Sequence, residues 1–232
     1  MNLAHAKVLL TGGSSGIGLE TARQLVQAGA AVVICGRDAM QLRQAAAATG
    51  AVAIPADVRQ EADVVRLVQQ ATQQLGGLNV AVNNAGFGLH APLTELTLDG
   101  FQRVLATNVL GAFLVGGEAA KLFVGQRAGN IVNVAPTAGQ RGYATGTAYA
   151  ASKFALRGMS ECWRAKLRSH NIRVMEVNPS EVITPFLEKA GRPVQHPERK
   201  LQAADVAQAI VNLLGMDDQG FVTDINLWAT NP

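Results

Sequence analysis

Short apolar runs and longer segments of helical period alternate along this chain. Residues 7–11, 31–35, 51–54, 79–83, 130–134, 173–178 and 221–227 are mostly apolar or β-branched and are bounded by glycine, proline or polar positions, the signature of buried strands. Between them apolar residues recur every three or four positions. Ala22, Leu25 and Val26 share one face of segment 19–28, which Gly29 is placed to stop, and Val64, Val65, Leu67 and Val68 line segment 61–75. Such alternation calls for parallel strands joined by right-handed crossovers. The pattern predicts an α/β fold in three layers, a doubly wound parallel sheet of about seven strands with helices on both faces.

Composition agrees with a buried sheet: 48% of residues are hydrophobic, 16% are charged, and 24 glycines supply tight turns. At 232 residues the chain fits one domain, 1–232. Its 20 basic and 17 acidic residues give a net charge of +3, but the basic ones are scattered, which argues against a nucleic-acid partner. Cys35 and Cys162 lie far apart and read as reduced packing residues. His5, His90, His170 and His196 are equally dispersed, so no metal is expected. No apolar stretch before Gly12 reaches the length of a signal peptide or span, and a cytoplasmic protein without a membrane partner is expected. One segment breaks the pattern. Residues 185–200 hold Pro185, Gly191, Pro193 and Pro197, too long a loop for an ordinary connection; it reads either as a solvated connector or as a substrate lid.

Thr11-Gly12-Gly13-Ser14-Ser15-Gly16-Ile17-Gly18 follows the first strand directly and leads into a helix. Glycines let the backbone approach a pyrophosphate, whose charge then faces unpaired N–H groups and the positive end of the helix dipole. A Rossmann-type dinucleotide site is the expectation, and a plain glycine-rich turn the alternative. Three further segments stand in order behind it: Asn83-Asn84-Ala85-Gly86, Tyr149-Ala150-Ala151-Ser152-Lys153, and Asn178-Pro179-Ser180-Glu181-Val182-Ile183-Thr184. With the spacing Thr-Gly-x-x-x-Gly-x-Gly, these resemble the short-chain dehydrogenase/reductase family, in its 3-ketoacyl-reductase-like form, from the first strand to the last.

The resemblance implies an oxidoreductase that moves a hydride between NADP(H) and a ketone, an aldehyde or a secondary alcohol. On a helix Tyr149 and Lys153 share a face about 6 Å apart along the axis. The lysine charge favours phenolate and lowers the phenol from its reference pKa of about 10. By resemblance, Tyr149 protonates the carbonyl oxygen and Lys153 also holds the nicotinamide ribose. Asn108, polar within an apolar helical stretch, falls where the family holds a relay water; a satisfied structural amide is the alternative. The implied cofactor contacts are Thr11, Gly12, Ser14, Ser15, Gly16, Ile17 and Gly18 of the turn, then Asn84, Ala85 and Gly86, then Pro179, Val182 and Thr184. Asp57 and Val58 are the implied adenine contacts, with a helix cap as the alternative for Asp57. After the second strand, Gly36 stands where an NAD-preferring relative places an acid. Arg37 follows, and its guanidinium suits the adenosine 2′-phosphate, with Ser14 adding a hydrogen bond. NADP(H) is expected ahead of NAD(H).

One position departs from the family pattern. Thirteen residues before Tyr149, where the family has a serine, stands Pro136, with neither a hydroxyl nor a backbone donor. In other enzymes the loss of one such donor costs roughly 10² to 10³ in turnover. Thr137 is the expected substitute if the strand end bulges by one residue, with Thr145 and Thr147 ranked below it. A catalytically weak or inactive NADP-binding scaffold or sensor is the rival reading. Phe87, Leu89, Tyr143, Phe186 and Leu187 flank the motifs and suit either a pocket or the core. Trp163, and Trp228 in the final strand, read as packing residues. The segments from Thr97 and from Tyr149 are rich in small and apolar residues, and the resemblance implies that they pair in a homodimer or homotetramer.

Overall fold

The computed structural model describes residues 1–189 and 196–231. Its strands are β1 (Lys7–Thr11), β2 (Ala31–Gly36), β3 (Val52–Pro55), β4 (Val80–Asn83), β5 (Gly129–Val134), β6 (Ile172–Pro179), β7 (Val182–Ile183), β8 (Leu201–Gln202) and β9 (Asp224–Leu227). Its α-helices are α1 (Gly16–Gln27), α2 (Ala39–Thr49), α3 (Glu61–Leu75), α4 (Leu98–Leu105), α5 (Ala112–Gln126), α6 (Thr147–Leu167), α7 (Pro185–Lys189) and α8 (Ala203–Gly215). Seven strands form one parallel sheet in the order β3-β2-β1-β4-β5-β6-β9, and β7 pairs with β8 apart from it. This is the doubly wound arrangement, whose order reverses between β1 and β4. A crevice opens there at the carboxyl ends of the strands.

Alternation along each strand builds two cores. Val8, Leu10, Val32, Ile34, Val132 and Val177 point to one face, where they meet Ala22 and Leu25 of α1, Leu42 of α2 and Val206 and Ile210 of α8. Leu9, Val33, Ala81, Ile131 and Val174 point to the other, against Val64 and Leu67 of α3 and Val115, Ala119 and Phe123 of α5. A period of two along strands buried on both faces is what reads in the sequence as a continuous apolar run.

Several elements differ from the sequence expectation. α4 and α5 form one helical run joined by a π-helical turn, Ala106–Gly111, which carries Asn108; such turns mark local strain and often sit at functional sites. The run of 29 residues is long and apolar enough to cross a membrane, yet Val104, Val115, Ala119 and Phe123 are buried in the protein core. β9 begins at Asp224 and not at Phe221, and it ends before Trp228. Its ladder partner β6 stops at Pro179, opposite Leu227, so Trp228 has no strand to pair with and lies 54% exposed. Cys35 is buried, but Cys162 is exposed on α6 and so is not a packing residue. In segment 185–200, Pro185 opens α7 and Pro197 opens a 3-10 turn, while Gly191 and Pro193 lie outside the described residues.

Candidate active site

A cavity of about 1020 Å³ lies over the crevice, at the upper end of small-molecule sites and roomy enough for a dinucleotide. Its floor is the glycine turn. Gly12 has φ +66°, and a β-carbon on Gly18 would stand 2.2 Å from the Gly12 carbonyl oxygen, so only glycines permit this packing. Ser14, Ser15, Gly16 and Ile17 line the cavity where α1 begins, and the Ser15 side chain makes no capping bond at that end of the helix. The first N–H groups of α1 are therefore placed to meet an anion, the arrangement a pyrophosphate requires. Asn84, Ala85, Gly86, Pro179, Val182 and Thr184 complete this part of the wall.

Thr11 and Gly18 stand behind the wall. The Thr11 hydroxyl donates to Val82 O at 3.2 Å and accepts from the amides of Asn84 and Ala85, both at 3.0 Å. The Asn84 amide in turn donates to Thr11 O and Gly12 O at 3.0 and 3.2 Å. Thr11 thus joins β1 to the segment after β4 and holds the turn in shape.

At the far end Gly36, Arg37, Asp38, Asp57 and Val58 line the cavity. Asp38, the acid that follows Arg37, is spent on a cap: its carboxylate accepts from Met40 N and Gln41 N, both at 3.0 Å. Arg37 is exposed at the rim. A β-carbon on Gly36 would be 3.6 Å from Ser14 Oγ, which puts that hydroxyl beside the same edge. The Asp57 carboxylate accepts from Arg59 Nε at 2.9 and 3.0 Å, and this pairing holds it below the usual carboxylate range. Asp57 does not cap α3; Gln60 holds that position, and Asp63 reaches back to Asp57 N at 2.9 Å.

Tyr149 and Lys153 lie one turn apart on α6, both buried, with Lys153 Nζ 5.7 Å from the Tyr149 ring centroid. Nζ donates to Val134 O at 3.2 Å. Burial drives its pKa down to about 8, opposed by the negative charge of Glu176 on β6. Asn108 lies beneath the cavity. Its Oδ1 accepts from Phe87 N at 2.8 Å, and its Nδ2 donates to Phe87 O at 3.0 Å and to Ser152 Oγ at 2.9 Å. These bonds fit the structural-amide alternative, fastening the 86–88 backbone to α6.

Pro136 and Thr137 both line the cavity, but the expected bulge is absent. β5 and β6 stay in regular register to Val134 and Val177, and Ala135 N still donates to Val177 O at 2.9 Å. Pro136 lacks an N–H to extend the ladder, and Thr137 opens a 3-10 turn, Thr137–Gly139. It reaches the cavity through that turn. Of the flanking residues, Tyr143, Phe186 and Leu187 line the cavity, whereas Leu89 packs over Gly100 and Phe87 lies under the Arg103 guanidinium. His90, Arg141, Lys200 and Trp228 also line it; the sequence reading weighed His90 only as a metal ligand, took Trp228 for a packing residue, and did not single out Arg141 or Lys200. The only cue for His90 was its place four residues after Gly86.

A dinucleotide-sized crevice at the switch point of a parallel sheet, with a buried tyrosine-lysine pair at one end, defines a nicotinamide-dependent oxidoreductase of the Rossmann class. Residues 6–195 match the family model described as short chain dehydrogenase. L-fucose dehydrogenase of Mus musculus is 33% identical over 88% of this chain and 75% of its own length. Among solved structures, 3-ketoacyl-(acyl-carrier-protein) reductase from Brucella melitensis complexed with NADH has a TM-score of 0.89 at 26% identity, covering 96% of each chain. An actinorhodin polyketide ketoreductase variant with NADPH has a TM-score of 0.88 at 29% identity, covering 96% of this chain and 95% of that one. The chain belongs to the short-chain dehydrogenase/reductase family, whose oxidoreductases act on C=O or CH–OH groups with NAD(P)(H).

Proposed function

We propose that this protein is an NADP(H)-dependent reductase of a small ketone or aldehyde, or the dehydrogenase of the matching secondary alcohol. The observation that carries the reading is the buried Tyr149–Lys153 pair at the end of a cavity that fits a dinucleotide. A bound nicotinamide cofactor supplies the hydride. Tyr149 gives its hydroxyl proton to the carbonyl oxygen, and the Lys153 ammonium stabilises the phenolate that remains. Gly12, Ser14, Ser15, Gly16 and Ile17 hold the pyrophosphate, Asn84 to Gly86 and Pro179, Val182 and Thr184 the nicotinamide side, and Val58 the adenine. The test is NADPH oxidation by the purified protein with benzaldehyde, cyclohexanone and ethyl acetoacetate. Tight NADPH binding without turnover of any carbonyl would support instead a scaffold or sensor, the reading that Pro136 favours.

Preference for NADP(H) rests on Arg37 at the rim and on the engagement of Asp38 as a cap. A charge-assisted contact contributes about 1.5–3 kcal/mol, so Arg37→Ala is expected to weaken NADPH roughly 10- to 100-fold and NADH little. Fluorescence titration of both cofactors checks this; equal affinities in the wild type, unmoved by the substitution, sink the assignment.

The helices that carry Asn108 and Tyr149 expose large apolar side chains: Leu98 (70%), Leu110 (45%), Phe113 (52%) and Phe154 (47%). Such a surface suits burial in a symmetric homodimer or homotetramer, which we place in the cytoplasm. Phe113→Glu combined with Phe154→Glu is expected to give a monomer in sedimentation equilibrium. A wild-type monomer at micromolar concentration counts against the assembly.

A further inference from the structure

The cavity runs across the sheet, and the strand order divides its charged residues between two ends. Arg37 follows β2 and Asp57 follows β3, at one edge, whereas Arg141 comes after β5 and Trp228 directly after β9, at the other. Neighbouring strands lie about 4.8 Å apart, so the five spacings from β2 to β9 amount to roughly 24 Å. Lys153 is anchored at the end of β5 through Val134 O. Arg141 and Trp228 therefore stand at the Tyr149–Lys153 end, away from the Arg37 rim.

Two contacts hold Arg141 there. Gln140 Nε2 donates to Asn226 Oδ1 of β9 at 2.5 Å, which ties the chain after the Thr137–Gly139 turn to the last strand. The Arg141 guanidinium carbon lies 5.9 Å from the centroid of the Trp228 ring, within cation–π range. Such a contact engages the charge and consumes none of the five N–H donors of a guanidinium. Among the described residues no carboxylate pairs with Arg141, whereas Lys200, which also lines the cavity, is matched by Glu181 at 3.1 Å. The wall beside Tyr149 is apolar: the Phe186 ring lies 5.6 Å from the Tyr149 ring, and Leu187 is buried next to it in sequence.

From this arrangement we propose that Arg141, backed by Trp228, binds a carboxylate of the substrate, so that the protein acts on oxo acids whose carboxylate is separated from the carbonyl by an apolar spacer. The inference rests on the carbonyl-reductase reading above. A guanidinium takes a carboxylate through two parallel N–H···O bonds, a geometry that fixes orientation as well as affinity. The spacer follows from the strand order: β5, where Lys153 is anchored, and β9, which Trp228 follows, are two spacings or roughly 10 Å apart. Arg141 exchanges no proton and no hydride. It holds the far end of the substrate and so sets specificity.

The test measures kcat/KM with NADPH for 4-carboxybenzaldehyde and 7-oxooctanoate, each beside its methyl ester, with benzaldehyde as the neutral reference. For at least one acid the wild-type acid-to-ester ratio is expected to be about tenfold or more, carried by KM, because one charge-assisted contact is worth about 10- to 100-fold. In Arg141→Gln that ratio should fall to about one. Arg141→Lys should keep part of it, and Arg141→Glu should favour the ester. NADPH affinity of Arg141→Gln should equal that of the wild type, which reports an intact fold and an arginine that does not serve the cofactor phosphates. A wild-type ratio below about threefold for both acids, a ratio that Arg141→Gln leaves unmoved, or a matching loss of NADPH affinity shows that Arg141 has no such role. If benzaldehyde or an ester is reduced without preference for either acid, this inference falls and the carbonyl-reductase reading stands. A wild type that binds NADPH and reduces none of these carbonyls removes that reading, and this inference with it.

Discussion

Tyr149→Phe is expected to lower turnover by about 10² to 10⁴ while NADPH affinity stays close to wild type, the signature of a lost general acid and not of a lost binding contact. The substitution removes one oxygen and keeps the ring. That matters because the ring is buried on the first turn of α6 and packs at 5.6 Å from Phe186 and 5.8 Å from His90. Those contacts survive in phenylalanine, so the fold and the cavity shape should survive with them. Stopped-flow NADPH oxidation together with cofactor titration reads both quantities. If kcat falls less than about fivefold, the proton has another source and Tyr149 is not the acid.

The sheet was legible because its strands are buried on both faces. Val8 to Leu10 and Val32 to Ile34 read as apolar runs for that reason, and the glycine turn could be placed because it had to follow the first of them. Strand ends were legible only to the extent that they depend on local residues. β9 stops where β6 turns away at Ser180, a fact about the neighbouring strand, and Trp228 was misread accordingly. The use of Asp38 as the cap of α2 strengthens the case for Arg37, yet a carboxylate beside a ribose position looks the same in sequence whether it caps or binds. The pairing of His90 with Tyr143 was hidden for a different reason. They lie 53 residues apart and come together only because two loops close over the same cavity, a tertiary event that no local pattern announces. The regular register of β5 and β6 likewise excluded a bulge that the sequence left open, so Thr137 reaches the cavity only through the turn that follows the strand.

The pH dependence of activity is expected to follow Lys153. Burial disfavours its ammonium form, so the pKa falls from 10.5 to about 8, and above that pH the folded protein loses the charge that steadies the Tyr149 phenolate. We expect kcat/KM for NADPH, which reports groups of the free enzyme, to fall about tenfold per pH unit above the pKa. Stability moves the other way. Below about pH 8 the folded state carries the full cost of a buried ammonium. As the pH rises from about 8 to 10.5 the folded chain has given up this proton while the unfolded chain still holds it, so the contribution of Lys153 to stability rises across that window. Loss of activity in the same range is then not unfolding, and melting curves at each pH separate the two. Glu176 supplies the second handle, because its negative charge raises the Lys153 pKa. Glu176→Gln should shift the alkaline limb of the activity profile to lower pH while leaving the Tyr149–Lys153 geometry in place. A wild-type profile that stays flat to about pH 9.5, or a limb that moves to higher pH in Glu176→Gln, shows that a charged Lys153 is not what activity requires.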